Sequence, residues 1–375
     1  MAGIYIHIPF CRQKCYYCDF YKTINQSYTE NFLTALEKEA AQRNDYLKGE
    51  AVKTIYFGGG TPSVLKEKQL NGILDFLNKH FQINSGAEIT FEANPDDLTP
   101  EYLESLNNAG INRLSIGIQS FSDEHLKKMN RRHNAAQAKA SIVNAFNAGF
   151  TNLSADLIYG LPELSNTQWK SDLHQLFHFP LVHLSAYHLT YHKGTPFYTW
   201  LKKGTLKELS EEESVKQFHI LLDETSHAGF EQYEISNFAL AQKYSAHNKA
   251  YWFGDKYLGL GPSAHSFNGY SRSWNVAFLE AYINGVEKIT PYFEVELLNE
   301  KDKFNEYILT RIRTMWGISL SEIRAQFGAD NADTVEKSVK AFVASGKMTT
   351  HSGRYILTRE GLFVSDNLMA ELVII

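Results

Sequence analysis

The feature that most limits how this chain can fold is a regular alternation of strand-like and helix-like segments through its first 190 residues. Runs suited to strands occur at 4–8, 53–57, 88–92, 113–118, 154–159 and 183–189. Helical stretches separate them at 29–47, 68–81, 100–108, 135–147 and 167–177. The punctuation agrees: Thr99 and Pro100 supply an N-cap and a first-turn proline, and Gly110 follows the end of the same helix. Such an order calls for a parallel sheet with helices laid over it. Six units suit an incomplete β/α barrel better than a closed barrel of eight.

Beyond the sixth unit the pattern changes twice. Residues 210–227 read as one more helix, opened by Ser210 with three glutamates in its first turn. An aromatic and glycine-rich stretch with weaker periodicity follows to about residue 292, suited to extend the sheet and close one side of the barrel mouth. From about residue 300 come short helices at 304–315, 320–326 and 333–345, two strand-like pieces at 347–350 and 354–357, and a last helix from Arg359. That is the order of a winged helix. The expected organisation is therefore a barrel over 1–228, an extension over 229–298 and a winged-helix-like α+β domain over 299–375. Winged helices often bind DNA, but this tail carries as many acidic as basic side chains. A scaffold or docking role is expected for it, with no nucleic-acid partner.

Composition narrows the function classes. Net charge is −5, so no broad basic field draws the protein to nucleic acid or anionic membrane. No apolar run approaches the ~20 residues of a spanning helix. The N-terminus runs almost directly into a strand-like segment and does not read as a signal peptide, so a cytoplasmic location is expected. Aromatic residues make up 13% of the chain, a supply that suits a flat apolar ligand as well as a core.

All three cysteines fall within eight positions, Cys11, Cys15 and Cys18, and the rest of the chain has none. A chain that avoids cysteine except in one tight cluster uses that cluster for chemistry, and metal binding is the first expectation. The C-x3-C-x2-C run directly follows the first strand, which puts it at the edge where β/α barrels build their sites. Thiolates hold iron–sulfur clusters, and a cubane normally takes four. With three, one iron keeps an open position or takes another ligand, and an open iron can chelate the amino and carboxylate groups of S-adenosylmethionine. A zinc site of three cysteines and a histidine has the right ligand types. Structural zinc motifs usually pair such a half with a second one, which is missing here.

This spacing resembles the signature of the radical-SAM superfamily, and Gly58-Gly59-Gly60-Thr61 after the second strand resembles its glycine-rich stretch. Further strand ends narrow the likeness. Tyr5 to Cys11, Glu92-Ala93-Asn94-Pro95, Gly117 to Phe121 and Asp156 to Pro162 look like the coproporphyrinogen dehydrogenase (HemN)/HemW family over nearly the whole chain. The resemblance implies a [4Fe–4S] cluster on Cys11, Cys15 and Cys18. It implies S-adenosylmethionine against Tyr5 and the backbone of Gly58, Gly59, Gly60 and Thr61, with Glu92, Gln119, Arg131 and Asp156 lining the same pocket. A strand-end charge can also be an ordinary cap, and it is the joint occurrence of these residues that argues for a site.

Two branches share this framework. The dehydrogenases, by resemblance, carry a further cysteine two positions after the triad and an N-terminal extension. Here Phe20 stands at that position and ten residues precede Cys11. Both features resemble the heme-chaperone branch, as does His247-Asn248-Lys249-Ala250-Tyr251-Trp252, which matches the H-N-x-x-Y-W motif of that branch. His247, Asn248, Tyr251 and Trp252 are thereby expected at heme, with His247 offering an imidazole to the iron and the aromatics a surface for the porphyrin. Read without the resemblance, His247 would be a histidine hydrogen-bonded in an aromatic core. His265, His183 and His188 are further candidates. The resemblance implies a heme chaperone that holds heme, the cluster and S-adenosylmethionine. It would pass heme to an acceptor such as a respiratory enzyme and draw on an electron donor, meeting membranes only through the acceptor. The alternatives are an oxygen-independent coproporphyrinogen III dehydrogenase and, with no dedicated support, a radical-SAM methyltransferase.

Overall fold

A computed structural model describes residues 2–374. Six strands lie side by side in chain order, all parallel: β1 (Ala2–Ile8), β2 (Val52–Gly59), β3 (Ile83–Ala93), β4 (Arg113–Gln119), β5 (Leu153–Tyr159) and β6 (His183–His188). Parallel neighbours cannot be joined by a tight turn, so each connection crosses back over the sheet as a helix. The helices Thr29–Gln42, Glu67–His80, Pro100–Asn108, Ala135–Asn147 and Asn166–Phe177 do this, and their apolar faces join the strands in one core. The expected α/β partial barrel is the observed one.

Strand β3 is longer than its sequence suggests. Asn84-Ser85-Gly86 reads as a turn, yet the strand starts at Ile83, opposite Val52, and a register shift then brings Glu88 opposite Thr54. An irregular register accommodates residues that a regular ladder would exclude.

The region after the barrel adds strands to both edges of the sheet. A hairpin of β7 (Glu231–Glu234) and β8 (Asn237–Ala239) pairs with β6. On the other edge β9 (Lys256–Leu260) runs parallel to β1, followed by antiparallel β10 (His265–Phe267), β11 (Ser271–Asn275) and β12 (Phe293–Leu297). A buried polar network ties this second edge to the helix Thr29–Gln42. Glu39 accepts hydrogen bonds from Tyr282 Oη at 2.6 Å, Asn275 Nδ2 at 2.7 Å and the Gly261 N–H at 2.8 Å. Arg43 lies 3.4 Å from the same carboxylate and donates to Ser266 and Ser273.

A second core gathers residues from Phe304 to Leu372. Three helices, Glu300–Arg311, Leu320–Phe327 and Ala329–Ala344, precede the hairpin of β13 (Met348–His351) and β14 (Arg354–Leu357), the winged-helix order. Arg313 fastens this region to the barrel by donating to the buried Glu234 at 2.8 Å. Among the described residues no helix is long and apolar enough to cross a membrane.

Candidate functional site

Strands β1, β4 and β5 are each buried except for one residue, and those exceptions are informative. Tyr5 is the only partly exposed residue of β1, Gln119 of β4 and Asp156 of β5. Each sits where its strand opens onto the mouth of the barrel. In a parallel sheet all C-terminal strand ends share one edge, so residues far apart in sequence meet there.

The cysteines occupy the loop that leaves β1. Two backbone bonds close that loop at its base, Cys11 N–H to Thr23 O at 2.9 Å and Thr23 N–H to Pro9 O at 2.7 Å. Its middle is pinned by Tyr16, whose N–H donates to Met129 O and whose carbonyl accepts from the Phe197 N–H. The loop thus presents Cys11, Cys15 and Cys18 to one cavity of about 400 Å³, also lined by Gly59, Gly60, Thr61, Glu92, Gln119, Arg131 and Asp156. Gly58 lies beneath, where a Cβ would stand 2.9 Å from Tyr56, 3.1 Å from Tyr5 and 3.2 Å from Glu92.

Two glycines of this cavity are closely approached by the protein itself. Gly59 has φ +99°, and a Cβ there would lie 2.6 Å from the His7 ring. A Cβ on Gly117 would lie 2.9 Å from Gln119 Nε2 and 3.3 Å from Arg131 Nη2. Gln119 itself is held at φ +67°, a sparsely populated conformation that clusters at functional sites.

Burial dominates the electrostatics. The Cys11 thiol is pushed up to about 11, chiefly by burial and against the hydrogen bond from Thr61, with the neighbouring cysteines adding to the rise. Burial likewise raises Cys18. Burial lifts the Glu92 carboxyl to about 7, opposed by the Tyr56 hydroxyl at 2.7 Å and reinforced by Asp156. Asp156, which accepts from Ser115, is raised to about 6, again by burial first. Arg131 Nη2 donates to Asn94 Oδ1 at 2.6 Å and Gly117 O at 2.8 Å, its Nη1 reaches Cys15 Sγ at 3.5 Å, and its Nε is buried without a partner. Asn94, Ser115 and Gly117 also line this cavity, positions that sequence reasoning did not single out although Asn94 and Gly117 stand inside the strand-end motifs.

The donor set fits a cubane and S-adenosylmethionine better than a lone metal ion. Three thiols stand around one end of the cavity, yet among the described residues no three His, Cys, Asp or Glu side chains are close enough together to hold one ion. Tetrahedral zinc needs that convergence, whereas a cluster spreads its ligands. The rest of the lining offers two protonatable carboxyls and a guanidinium, partners for hydroxyl, ammonium and carboxylate groups.

Glu92 supplies a stability test. Its folded value of about 7 lies above the ordinary 4.5, so between those pH values the folded state retains a proton that the unfolded state has lost. Stability therefore falls as pH rises through that window, by about 3 kcal/mol for a shift of this size. Glu92→Gln should relieve that penalty. Thermal melts without ligands should show the variant gaining on the wild type between pH 5 and pH 8, and an equal difference at both would discard the idea.

A second cavity, of about 960 Å³, opens next to the first. Tyr5, Tyr21, Tyr251, Trp252, Tyr257 and Phe267 contribute aromatic walls, and Tyr307, Arg311 and Phe327 close it from the C-terminal core. Asp19 and Phe20 line both cavities, and the Phe20 side chain is 65% exposed. Charges around the larger cavity are balanced: Arg272 pairs with Glu306 and Lys303 with Glu300.

The helix Ala246–Trp252 separates the residues expected at heme. Tyr251 and Trp252 face the large cavity, and Asn248 does not reach its wall. His247 lies behind the wall, 2% exposed, with Nδ1 2.9 Å from Thr54 Oγ1 and Nε2 2.9 Å from Tyr251 Oη. Its ring stacks on Tyr56 at 5.1 Å, and burial, with Arg113 nearby, lowers it to about 3. Both ring nitrogens are committed, so the expectation that His247 offers one to iron is not met in this arrangement. It holds Tyr251 in place instead. His183 is similarly bonded on both sides, to Ser154 and Tyr233, and His188 lies on the smaller cavity.

A parallel βα sheet with three cysteines after β1, in a cavity that gathers them with Glu92, Arg131 and Asp156 from the adjoining strands and loops, defines a radical-SAM protein. The Radical SAM superfamily pattern matches residues 5–176 and the HemN C-terminal domain pattern residues 298–364. The heme chaperone HemW of Bacillus subtilis is 33% identical over 371 residues, covering 98% of each chain. HemW of Escherichia coli is 31% identical, covering 98% of this chain and 97% of its own. The chain belongs to the HemW family. In fold it resembles coproporphyrinogen III oxidase (HemN) from Escherichia coli, with a TM-score of 0.86 at 24% identity over 99% of this chain and 90% of that one.

Proposed function

We propose that the protein is a heme chaperone, which holds heme in the larger cavity and passes it to an acceptor protein. The observation that carries this reading is the juxtaposition of two cavities. One bears the three thiols together with Glu92, Arg131 and Asp156, and the other is walled by aromatic rings and of a size that suits a large flat ligand. The names of the full-length relatives point the same way.

In this reading Cys11, Cys15 and Cys18 would hold a [4Fe–4S] cluster, which when bound would supply a low-potential electron to S-adenosylmethionine. Arg131 and the backbone of Gly59 to Thr61 face the nucleotide's methionine end. Glu92 and Asp156, protonatable near neutrality, serve its hydroxyl and ammonium groups, and Gln119 completes the pocket. Tyr251 and Trp252 contribute to the porphyrin surface, and so does Tyr5, which lines the larger cavity and not the one that bears the thiols. A cytoplasmic location, a respiratory enzyme as acceptor and a separate electron donor complete the proposal. Any membrane contact would come through the acceptor.

The competing reading is the coproporphyrinogen III dehydrogenase, since a tetrapyrrole substrate would meet the same aromatic surface. Phe20, rather than cysteine, stands at the junction of the cavities and favours the chaperone. Protein reconstituted anaerobically and given coproporphyrinogen III, S-adenosylmethionine and a low-potential reductant should form 5′-deoxyadenosine without protoporphyrinogen. Catalytic protoporphyrinogen would establish the dehydrogenase. Hemin titration of the same protein should give a saturable site, and its absence would end the chaperone reading.

A further inference from the structure

The heme reading leaves the iron without an assigned protein ligand, and the larger cavity narrows the choice. We infer that His265 is the axial ligand through which this cavity holds heme iron, an assignment that rests on the heme reading above. Two histidines line the cavity, His7 and His265. His7 is already committed. Its Nε2 faces the Tyr21 carbonyl at 3.0 Å and must donate to it, so Nδ1 accepts from the Tyr5 hydroxyl at 3.3 Å. The ring is also buried, with 3% exposure. His247 is engaged at both nitrogens behind the wall.

His265 differs on each count. It is exposed, lies on the cavity wall and has no hydrogen-bond partner among the described residues. Its backbone, by contrast, is tightly placed. It stands opposite Trp274 in the β10–β11 ladder, and the two rings lie 6.3 Å apart at 30°. The turn leading to it holds Gly261 at φ +95° and Ser263 at φ +61°. The carbonyl of His265 presses against Gly259 so closely that a Cβ there would fall 2.1 Å from the oxygen. A fixed backbone with an uncommitted imidazole is what ligation needs, because little ordering remains to be done when the metal arrives. Across the cavity the Arg311 guanidinium lies 4.0 Å over the Phe253 ring, a cation within the same enclosure for an anionic porphyrin edge.

Hemin titrations of the full-length protein, followed by Soret absorption and electron paramagnetic resonance, test the assignment. The wild type should saturate with the spectrum of a histidine-ligated iron. His265→Ala should weaken binding about tenfold or more and shift the Soret band, and added imidazole should restore the wild-type spectrum. His265→Tyr should give the spectrum of a phenolate-ligated iron, a change that loss of packing alone cannot produce. His247→Phe should cost stability, because Thr54 and Tyr251 lose a partner, and should keep the wild-type spectrum. Wild-type spectra from both His265 variants would remove the ligand assignment and leave heme binding standing. A spectral change confined to His247→Phe would transfer the role to that residue. Failure of the wild type to bind hemin would overturn the chaperone reading together with its ligand.

Discussion

Cys15→Ala should leave a folded protein that holds no stable iron–sulfur cluster. The loop bearing Cys15 is fastened by backbone bonds at Cys11, Tyr16 and Thr23, none of which uses a thiol, so the alanine variant keeps its frame. What it loses is one of three ligands to a cluster that already lacks a fourth, and the chain has no other cysteine to substitute. After anaerobic reconstitution, iron and sulfide should fall to background, and the broad charge-transfer absorption should vanish. 5′-Deoxyadenosine formation should stop with them. Circular dichroism and the melting temperature of the unreconstituted protein should stay close to the wild type, because Cys15 is partly exposed and contributes little core. Iron content equal to the wild type would refute the ligand set.

Arg43→Met should be among the most destabilising single changes, by about 3–5 kcal/mol, the cost of stranding one member of a buried ion pair. Glu39 is fully buried, and Arg43 is the cation within its reach. Total stabilities are only about 5–15 kcal/mol, so the loss would be a large fraction. The same guanidinium donates to Ser266 in β10 and Ser273 in β11, and its loss loosens the edge that carries His265 and Phe267 into the larger cavity. Denaturant titration should show the drop. It should be smaller at pH 5 than at pH 8, since burial already raises the Glu39 carboxyl and protonation removes the stranded charge. Combining Arg43→Met with Glu39→Gln should recover part of the loss, a coupling that a double-mutant cycle measures. A loss below about 1 kcal/mol, or strictly additive effects, would show that the pair is not the clasp of this edge.

The sequence alone was enough for the barrel and for much of the first cavity. Strand and helix periodicities are local, and a parallel βα series sends every strand's C-terminal end to one edge. Cys11, Glu92, Gln119 and Asp156 therefore meet around one cavity because of their places in the chain, without any long-range contact having to be guessed. The resemblance supplied which of the strand-end residues to expect in a site, and their expected ligands.

The larger cavity was of another kind. Its walls come from residues 5–21, from 251–272 and from the C-terminal core, three segments whose approach depends on β9 pairing beside β1 and on the Glu39–Arg43 network. No local pattern encodes that pairing. His247 and His265 show the consequence most directly. Both are candidate ligands by residue type, and nothing in one dimension tells which imidazole is spent on hydrogen bonds. A seven-residue helix set against β1 and β2 turns His247 inward to Thr54 and Tyr251, while the β10–β11 ladder leaves His265 on the cavity wall. Sequence determined which side chains could bind metal, because that is a property of residue type. Tertiary structure decided which were still free to do so, because a ring nitrogen already bonded to a neighbour has no lone pair or proton left to offer.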